Sequence, residues 1–247
     1  MRPASAYACL HARLQARHGA RPGALLWRAI DSARVADHLL EVARASCLRP
    51  WVQGFGPRST AHEVERELRA RWRAYCLGIA AYQPAADWAA TRWLALLPWL
   101  PAAAALLRGA PAAPWMRADP HLAALAAADP GARPAEFAAG EFAPLVAAEA
   151  SGEAARDFDA HWRRLVAAHS AAERAGVTRV ASALALARVA STAALGHGEQ
   201  LLERVFRRVP QTAVATSAHL LLVRRDSDRL RAALLRALLF ERGAAAA

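Results

Sequence analysis

The chain has no lysine: all 32 basic residues are arginine. It has only three cysteines, Cys9, Cys47 and Cys76, too few and too widely spaced for a zinc knuckle, a C-x-x-C redox pair or an extracellular bridge framework. A reducing compartment is the simplest reading of that scarcity. No segment alternates at period two with β-branched residues over a useful length, which argues against a sheet. The longest apolar stretch, Trp93 to Leu107, carries Pro98 and Pro101 and falls short of the about 20 residues a bilayer span needs. Polar and basic residues follow the first few positions, where a secretory leader would place an apolar core. The sequence therefore predicts no membrane span and no secretory signal.

What is present is alanine, more than a quarter of the 247 residues, and an uneven positive charge. Both the alanine and the exclusive use of arginine fit a GC-rich coding sequence, so a lone arginine carries little information. The distribution carries more. Residues 1–100 have a net charge of +7, residues 101–198 are neutral, and residues 199–247 carry +4. The ends offer a field of one sign to an acidic partner, an anionic surface or a phosphate backbone. A length of 247 residues suffices for one large domain, able to bury about 70–75% of its unfolded surface.

Periodicity is helical throughout. Tyr7, Leu10, Leu14 and Arg17 mark a short amphipathic helix that Gly19 and Arg21-Pro22-Gly23 end. From Ala24 to Cys47 one face is kept by Leu26, Ile30, Ala33, Ala36, Leu40 and Ala43, in two pieces that stop at Leu48-Arg49-Pro50. Thr60 and Glu63 have the spacing of a capping box. The helix they open, Ala61 to about Tyr82, places Val64, Leu68, Trp72, Tyr75 and Ile79 on one stripe, and Glu65–Arg69 and Glu67–Arg71 at four-residue spacing. Trp88 to Leu97 reads as a further helix broken by Pro98 and Pro101. Pro111, Pro114, Pro120, Pro130, Pro134 and Pro144 then punctuate an alanine-rich stretch into short helices and loops. Helical pattern returns over Asp157–Arg174 and Thr178–Leu195, with Gly196-His197-Gly198 as a stop, then Glu199–Val209 and a long helix from about Thr212 to Arg242. The expectation is a single all-α domain over 1–247, with a first helical region (1–100), a Pro/Ala-rich centre (101–198) and a closing helical region (199–247).

The usual reactive constellations are absent or incomplete. Asp157, Asp159 and His161 step by about 200° around a helix and do not converge on an ion, so they read as an acidic first turn facing the helix dipole. His11 and His18 share a face, and Ser59 and His62 share a turn, without an orienting carboxylate or a nucleophile elbow. Gly54-Phe55-Gly56 lacks the third glycine and the preceding strand of a phosphate cradle. Trp72, Trp88, Trp93 and Trp99 read as packing residues. No catalytic residue, cofactor site or metal site is assigned. Arg66, Arg69, Arg71 and Arg73, and on the last helix Arg224, Arg225, Arg229, Arg231 and Arg236, wrap around their helices among acids. A groove-reading helix would instead gather its arginines on one face beside Asn, Gln or Ser. An Arg-rich helical nucleic-acid-binding module is kept as the alternative reading, and a small helical enzyme with a tryptophan-lined pocket as a third.

The two basic ends resemble a known family. Tyr7-Ala8-Cys9-Leu10-His11-Ala12-Arg13-Leu14-Gln15-Ala16-Arg17 is similar to the opening of the C-type coupling subunits of V-type and A-type ATPases (the d-type subunits of eukaryotes), whose members begin with a tyrosine, an Ala-Arg-apolar-x-Ala helix and a break. The order that follows is similar too: an apolar helix through Trp27-Arg28-Ala29-Ile30, a second with Ala36-Asp37-His38-Leu39-Leu40, a turn, and a long charged helix from Glu63 to Tyr75. Leu201-Leu202-Glu203-Arg204-Val205-Phe206-Arg207-Arg208-Val209-Pro210, followed by His219 to Leu222 and Leu230-Arg231, resembles the family's closing repeat. Asp226 and Asp228 supply its acids, and Arg229 stands where the family has Asn. The similarity covers about 100 residues at the start and 45 at the end.

A short, divergent bacterial member of that family is what the resemblance implies: a non-catalytic, funnel-like bundle of helices with internal pseudo-repeats. It would seat the rotor shaft on the membrane proteolipid ring of a proton- or sodium-translocating rotary ATPase, peripherally on the cytoplasmic face of the inner membrane. Its partners would be the central-stalk subunits and the ring, with no cofactor. The interface residues it implies are Tyr7, Arg13, Arg207, Arg208, Asp226 and Arg231.

Overall fold

A computed structural model describes residues 3–149, 154–187 and 192–245, and the described residues form helices and connecting turns without a strand. In chain order the helices are α1 (Pro3–Gly19), α2 (Ala24–Ser32), α3 (Ala36–Arg44), α4 (Arg49–Val52), α5 (Ala61–Ala80), α6 (Trp88–Leu94), α7 (Leu100–Leu107), α8 (Pro114–Ala118), α9 (Ala123–Ala127), α10 (Arg133–Ala139), α11 (Ala143–Glu149), α12 (Ala154–Leu165), α13 (Ala171–Leu186), α14 (Thr192–Arg208) and α15 (Ala213–Ala245). The all-α expectation holds.

Local chemistry sets several boundaries. Thr60 Oγ1 accepts from the Glu63 amide at 3.2 Å while the Glu63 carboxylate accepts from the Thr60 amide at 2.7 Å, so two amides that helix geometry leaves unpaired are satisfied at the start of α5. α5 buries Val64, Leu68, Trp72 and Ile79 as the pattern predicts, but Cys76 takes the buried place beside them and Tyr75 is only half-buried. Pro98 and Pro101 do not merely break a helix. Each occupies a first-turn position, of a short 3-10 turn and of α7, where the missing N–H costs nothing. The whole run Ala85–Leu107 is long and apolar enough to cross a membrane by length and composition, longer than the proline positions alone indicated. In the fold it is divided between α6, two 3-10 turns and α7, and 72% of its most apolar window is buried.

Several boundaries differ from expectation: α4 begins at Arg49, where a stop was expected, and the stretch Thr178–Leu195 is divided between α13, which ends at Leu186, and α14, which begins at Thr192. The pattern over Asp157–Arg174 is split, because Ser170 begins α13 by accepting from the Glu173 amide at 3.1 Å, a second S-x-x-E signal of the kind seen at Thr60. Gly196-His197-Gly198 is not a stop: α14 runs through it to Arg208. A glycine stops a helix most readily at positive φ, which among the described glycines only Gly54 and Gly109 have. Gly198 instead faces α13, where an added Cβ would lie 3.7 Å from the Ala183 carbonyl oxygen and from the Leu186 Cβ. Packing against a neighbour overrides the low helix propensity of glycine there.

The buried side chains form two clusters. The larger gathers Leu10 and Leu14 of α1, Trp72 and Ile79 of α5, Trp93, Trp99 and Leu106, the central Phe137, Phe142, Phe158 and Trp162, and the apolar residues between 213 and 223 of α15. The smaller gathers Trp27, Ile30, Leu39 and Leu40 of α2 and α3, Val52, Phe55, Val64 and Leu68, and Leu230, Leu234 and Leu238 of α15. α5 and α15 span both clusters, and α15, roughly 50 Å long by its residue count, is the shared spine. The tryptophans 72, 93 and 99 sit in the core, as their spacing predicts, and Trp88 is 37% exposed.

Candidate functional site

Between the two clusters α15 carries Arg224-Arg225-Asp226-Ser227-Asp228-Arg229, an interruption of its apolar face by charge. Arg21, in the turn after α1, reaches into that gap. Its Nε and Nη2 donate to the two Asp226 carboxylate oxygens at 2.7 and 3.2 Å, and its Nη1 donates to Glu203 at 2.8 Å; Glu199 lies at 3.6 Å. The Arg21 and Asp226 side chains are each 12% exposed. One guanidinium thus joins the first turn of the chain to α14 and α15, a planar fork matched to a carboxylate.

Electrostatics follow from that geometry. Burial opposes the charge on Arg21, but the surrounding carboxylates of Asp226, Glu203 and Glu199 outweigh it and hold the guanidinium above its usual range. Burial pushes the Asp226 carboxyl up, and Arg21 works against that rise. His18 stacks on Phe206, 4.4 Å between ring centres, and its Nε2 lies 3.1 Å from Glu203. Burial lowers its pKa, with Glu203 opposing. His219, fully buried, has Nε2 2.8 Å from the Tyr75 hydroxyl, while its Nδ1 has no partner among the described residues. Burial, helped by the nearby charges of His18, Arg21 and Arg17, lowers His219 to about 3, so the ring is neutral.

Beside the ionic knot lies a cavity of about 480 Å³ between the end of α1, the turn at 47–51, α5 and α15. Its walls are mostly apolar, with Pro22, Leu48, Trp51 and Val223, and its polar groups are Arg17, Arg21, Arg71, Tyr75, Asp226 and Ser227. Trp51 and Tyr75 stand with ring centres 5.9 Å apart. Arg71 leaves Glu67, its four-residue partner in the sequence pattern, and donates instead to the carbonyls of Trp51 and Gln53, with its guanidinium 4.6 Å from the Phe55 ring centre. Gly54, at φ 85°, makes that turn possible. Gly54-Phe55-Gly56 is therefore a packed turn, with Phe55 buried.

The six interface candidates part company. Arg13 is exposed, its guanidinium 4.1 Å from the Tyr82 ring centre, and Arg207 and Arg208 are exposed at the end of α14, Arg207 3.4 Å from Glu203. Tyr7 is turned inward, its hydroxyl donating to Asp87; burial, then Asp87, raises its pKa. Asp226 is held by Arg21, and Arg231 by Glu65. Those three are occupied within the chain, because the pattern that gives a residue type and a helix face does not reveal which other helix lies opposite.

The same holds for most of the helix-wrapping arginines. Arg69 lies over the Trp115 ring at 4.5 Å and within 3.6 Å of the buried Asp119, whose oxygens accept from Trp99 Nε1 at 2.9 Å. Arg73 pairs with Glu141 at 2.6 Å, Arg224 with Asp228, Arg225 with Glu199, and Arg229 with Asp31. Arg133, which no motif singled out, is 4% exposed and caps the carbonyls of Leu106 and Ala110 at 3.2 and 2.6 Å, tying the proline-rich centre to α7. Asp157 lies outside the residues whose side chains are described, and His161 packs edge-on against Trp93 at 4.6 Å. Among the described residues no group of three His, Cys, Asp or Glu is placed to hold a metal ion.

The residue that organises the site, Arg21, carries no motif. The signals that could have found it are an acid-free stretch from Met1 to Ile30 and an arginine set between a helix and a Pro-Gly break, opposite acids near the far end. Compared with protein-family models, with curated proteins and with solved structures, the chain finds no match.

Proposed function

We propose that this chain is a non-catalytic adaptor, the coupling subunit of a proton- or sodium-translocating V/A-type rotary ATPase, a funnel-like bundle with pseudo-repeats that seats the central stalk on the proteolipid ring from the cytoplasmic face. The reading rests on the resemblance of about 100 residues at the start and 45 at the end to the two ends of that family. One structural observation supports it: those two ends, far apart in sequence, are stitched into one unit by Arg21 to Glu203 and Asp226, by Asp31 to Arg229, by Glu65 to Arg231 and by Tyr75 to His219. A torque-transmitting socket needs rigid, closely packed helices and cross-braced ends. Arg13, Arg207 and Arg208, exposed and basic, are the side chains left to grip carboxylates or helix C-termini of a neighbour.

The test is affinity purification of the tagged full chain from its own host in mild detergent. Central-stalk and proteolipid subunits should co-purify in fixed ratio, and Arg207→Glu with Arg208→Glu should release them without changing the melting temperature by more than about 2 °C. A rotary ATPase purified intact from the same cells without this chain ends the reading.

A further inference from the structure

We propose that the cavity beside the Arg21 knot binds an apolar stem ending in a single carboxylate. The volume of about 480 Å³ lies within the range of small-molecule sites and exceeds that of an eight-carbon chain. Pro22, Leu48, Trp51 and Val223 supply walls that favour hydrocarbon. Three guanidiniums and one carboxylate line the space, and the carboxylate, Asp226, is already taken up by two bonds from Arg21. Arg71 gives two of its five N–H groups to the neutral carbonyls of Trp51 and Gln53, and it lines the cavity without an ion pair to a described residue. Arg17 lies at the exposed edge, its guanidinium 5.1 Å from the Tyr75 ring centre, likewise without a carboxylate in ion-pair contact among the described residues.

Two positive charges held outside close ion pairs, over an apolar wall, favour an anion with a hydrocarbon body. Arg17, at the exposed edge, offers the planar fork that matches a carboxylate. The group has two possible sources, a free aliphatic acid or the terminal carboxylate of an apolar protein tail, and the same chemistry recognises both. The cavity alone carries this assignment, whichever way the adaptor reading falls.

Octanoate and octanamide are titrated into the full chain by calorimetry, and the alkylation rates of Cys47, which lines the cavity, and of Cys9, exposed elsewhere on α1, are followed together. Octanoate should bind one to one, at least tenfold more tightly than octanamide, and should slow alkylation of Cys47 but not of Cys9. Arg17→Gln, at an exposed position, should erase about tenfold of the octanoate affinity and leave octanamide unchanged. Ala74→Phe, filling the cavity from the exposed face of α5, should abolish binding of both. A peptide ending in Leu-Leu-Leu with a free carboxylate that displaces octanoate, where its C-terminal amide does not, identifies a protein tail as the source. Octanoate binding without such displacement identifies the free acid. Equal binding of acid and amide, full octanoate selectivity in the Arg17 variant, or an unprotected Cys47 overturns the proposal.

Discussion

Replacing Arg21 by Gln removes a guanidinium that faces Asp226, Glu203 and Glu199 together. Glu203 keeps His18 and Arg207 nearby, and Glu199 keeps Arg225 at 3.2 Å, but Asp226, 8% exposed, is left without its main partner. Breaking a buried pair from one side costs about 3–5 kcal/mol, and the residual exposure of both side chains argues for the lower end, about 3 kcal/mol. For a chain of this length that is a fall of roughly 6–12 °C in melting temperature.

The pH dependence has a definite sign. Burial already raises Asp226 above its ordinary carboxylate value, and losing Arg21 raises it further. A raised folded-state pKa means that the folded chain binds the proton more tightly than the unfolded one. Stability from that group is therefore greatest at low pH and is lost as pH climbs from the unfolded value through the folded value. The deficit of Arg21→Gln should accordingly shrink between pH 7.5 and pH 5. Melting curves by circular dichroism at the two pH values measure it. The double variant Arg21→Met, Asp226→Leu, which replaces both buried charges by apolar groups, should recover most of the loss. A single variant melting within about 2 °C of the parent, or a double variant no better than the single, would refute the account of Arg21 as the joint between the chain's ends.

Thr60→Ala removes half of the capping box and should cost about 1 kcal/mol, read as a lower urea midpoint with an unchanged slope. Gly176→Ala puts a Cβ 2.9 Å from Val214 Cγ1, where α13 meets α15, and should destabilise by about 1–3 kcal/mol through overpacking; Gly19→Ala, with open space around it, serves as control in the same melt. His219, lowered to about 3, stays neutral in the folded chain while its unfolded counterpart protonates below about 6.5. Stability from this group is full at neutral pH and falls as pH drops, by at most about 1.4 kcal/mol per pH unit. His219→Gln should flatten that part of the urea-midpoint profile between pH 6.5 and 4.5, and the imidazole resonances of His219 should stay constant from pH 8 to 5.

The first three helices, α5 and the long last helix were legible along the chain. A 3.6-residue apolar repeat has only one way to turn its stripe inward, and Thr60 with Glu63 meets unpaired amides wherever the rest of the chain goes. Those are local facts, and α2, α3 and α5 lie close to where the pattern put them. Gly196-His197-Gly198 misled because glycine permits a stop without requiring one, and the neighbour packed against Gly198 favours the helix instead. Ser170 with Glu173 was as legible as Thr60 with Glu63, and marks the start that the longer periodic stretch obscured.

Where the charges go was settled by the packing of the helices. Residue identity says that an arginine carries a fork of donors, but not that Arg21 will meet an aspartate 205 positions away, that Arg231 will spend its charge on Glu65, or that Arg133 will close a proline-rich segment. An ion pair between helices has no period and no fixed spacing, so its partner is fixed by how the helices cross rather than by the sequence along either of them. The cavity is of the same kind: its walls come from four separated segments, and it exists because α1 and α5 approach α15 at the place where charge interrupts the apolar face.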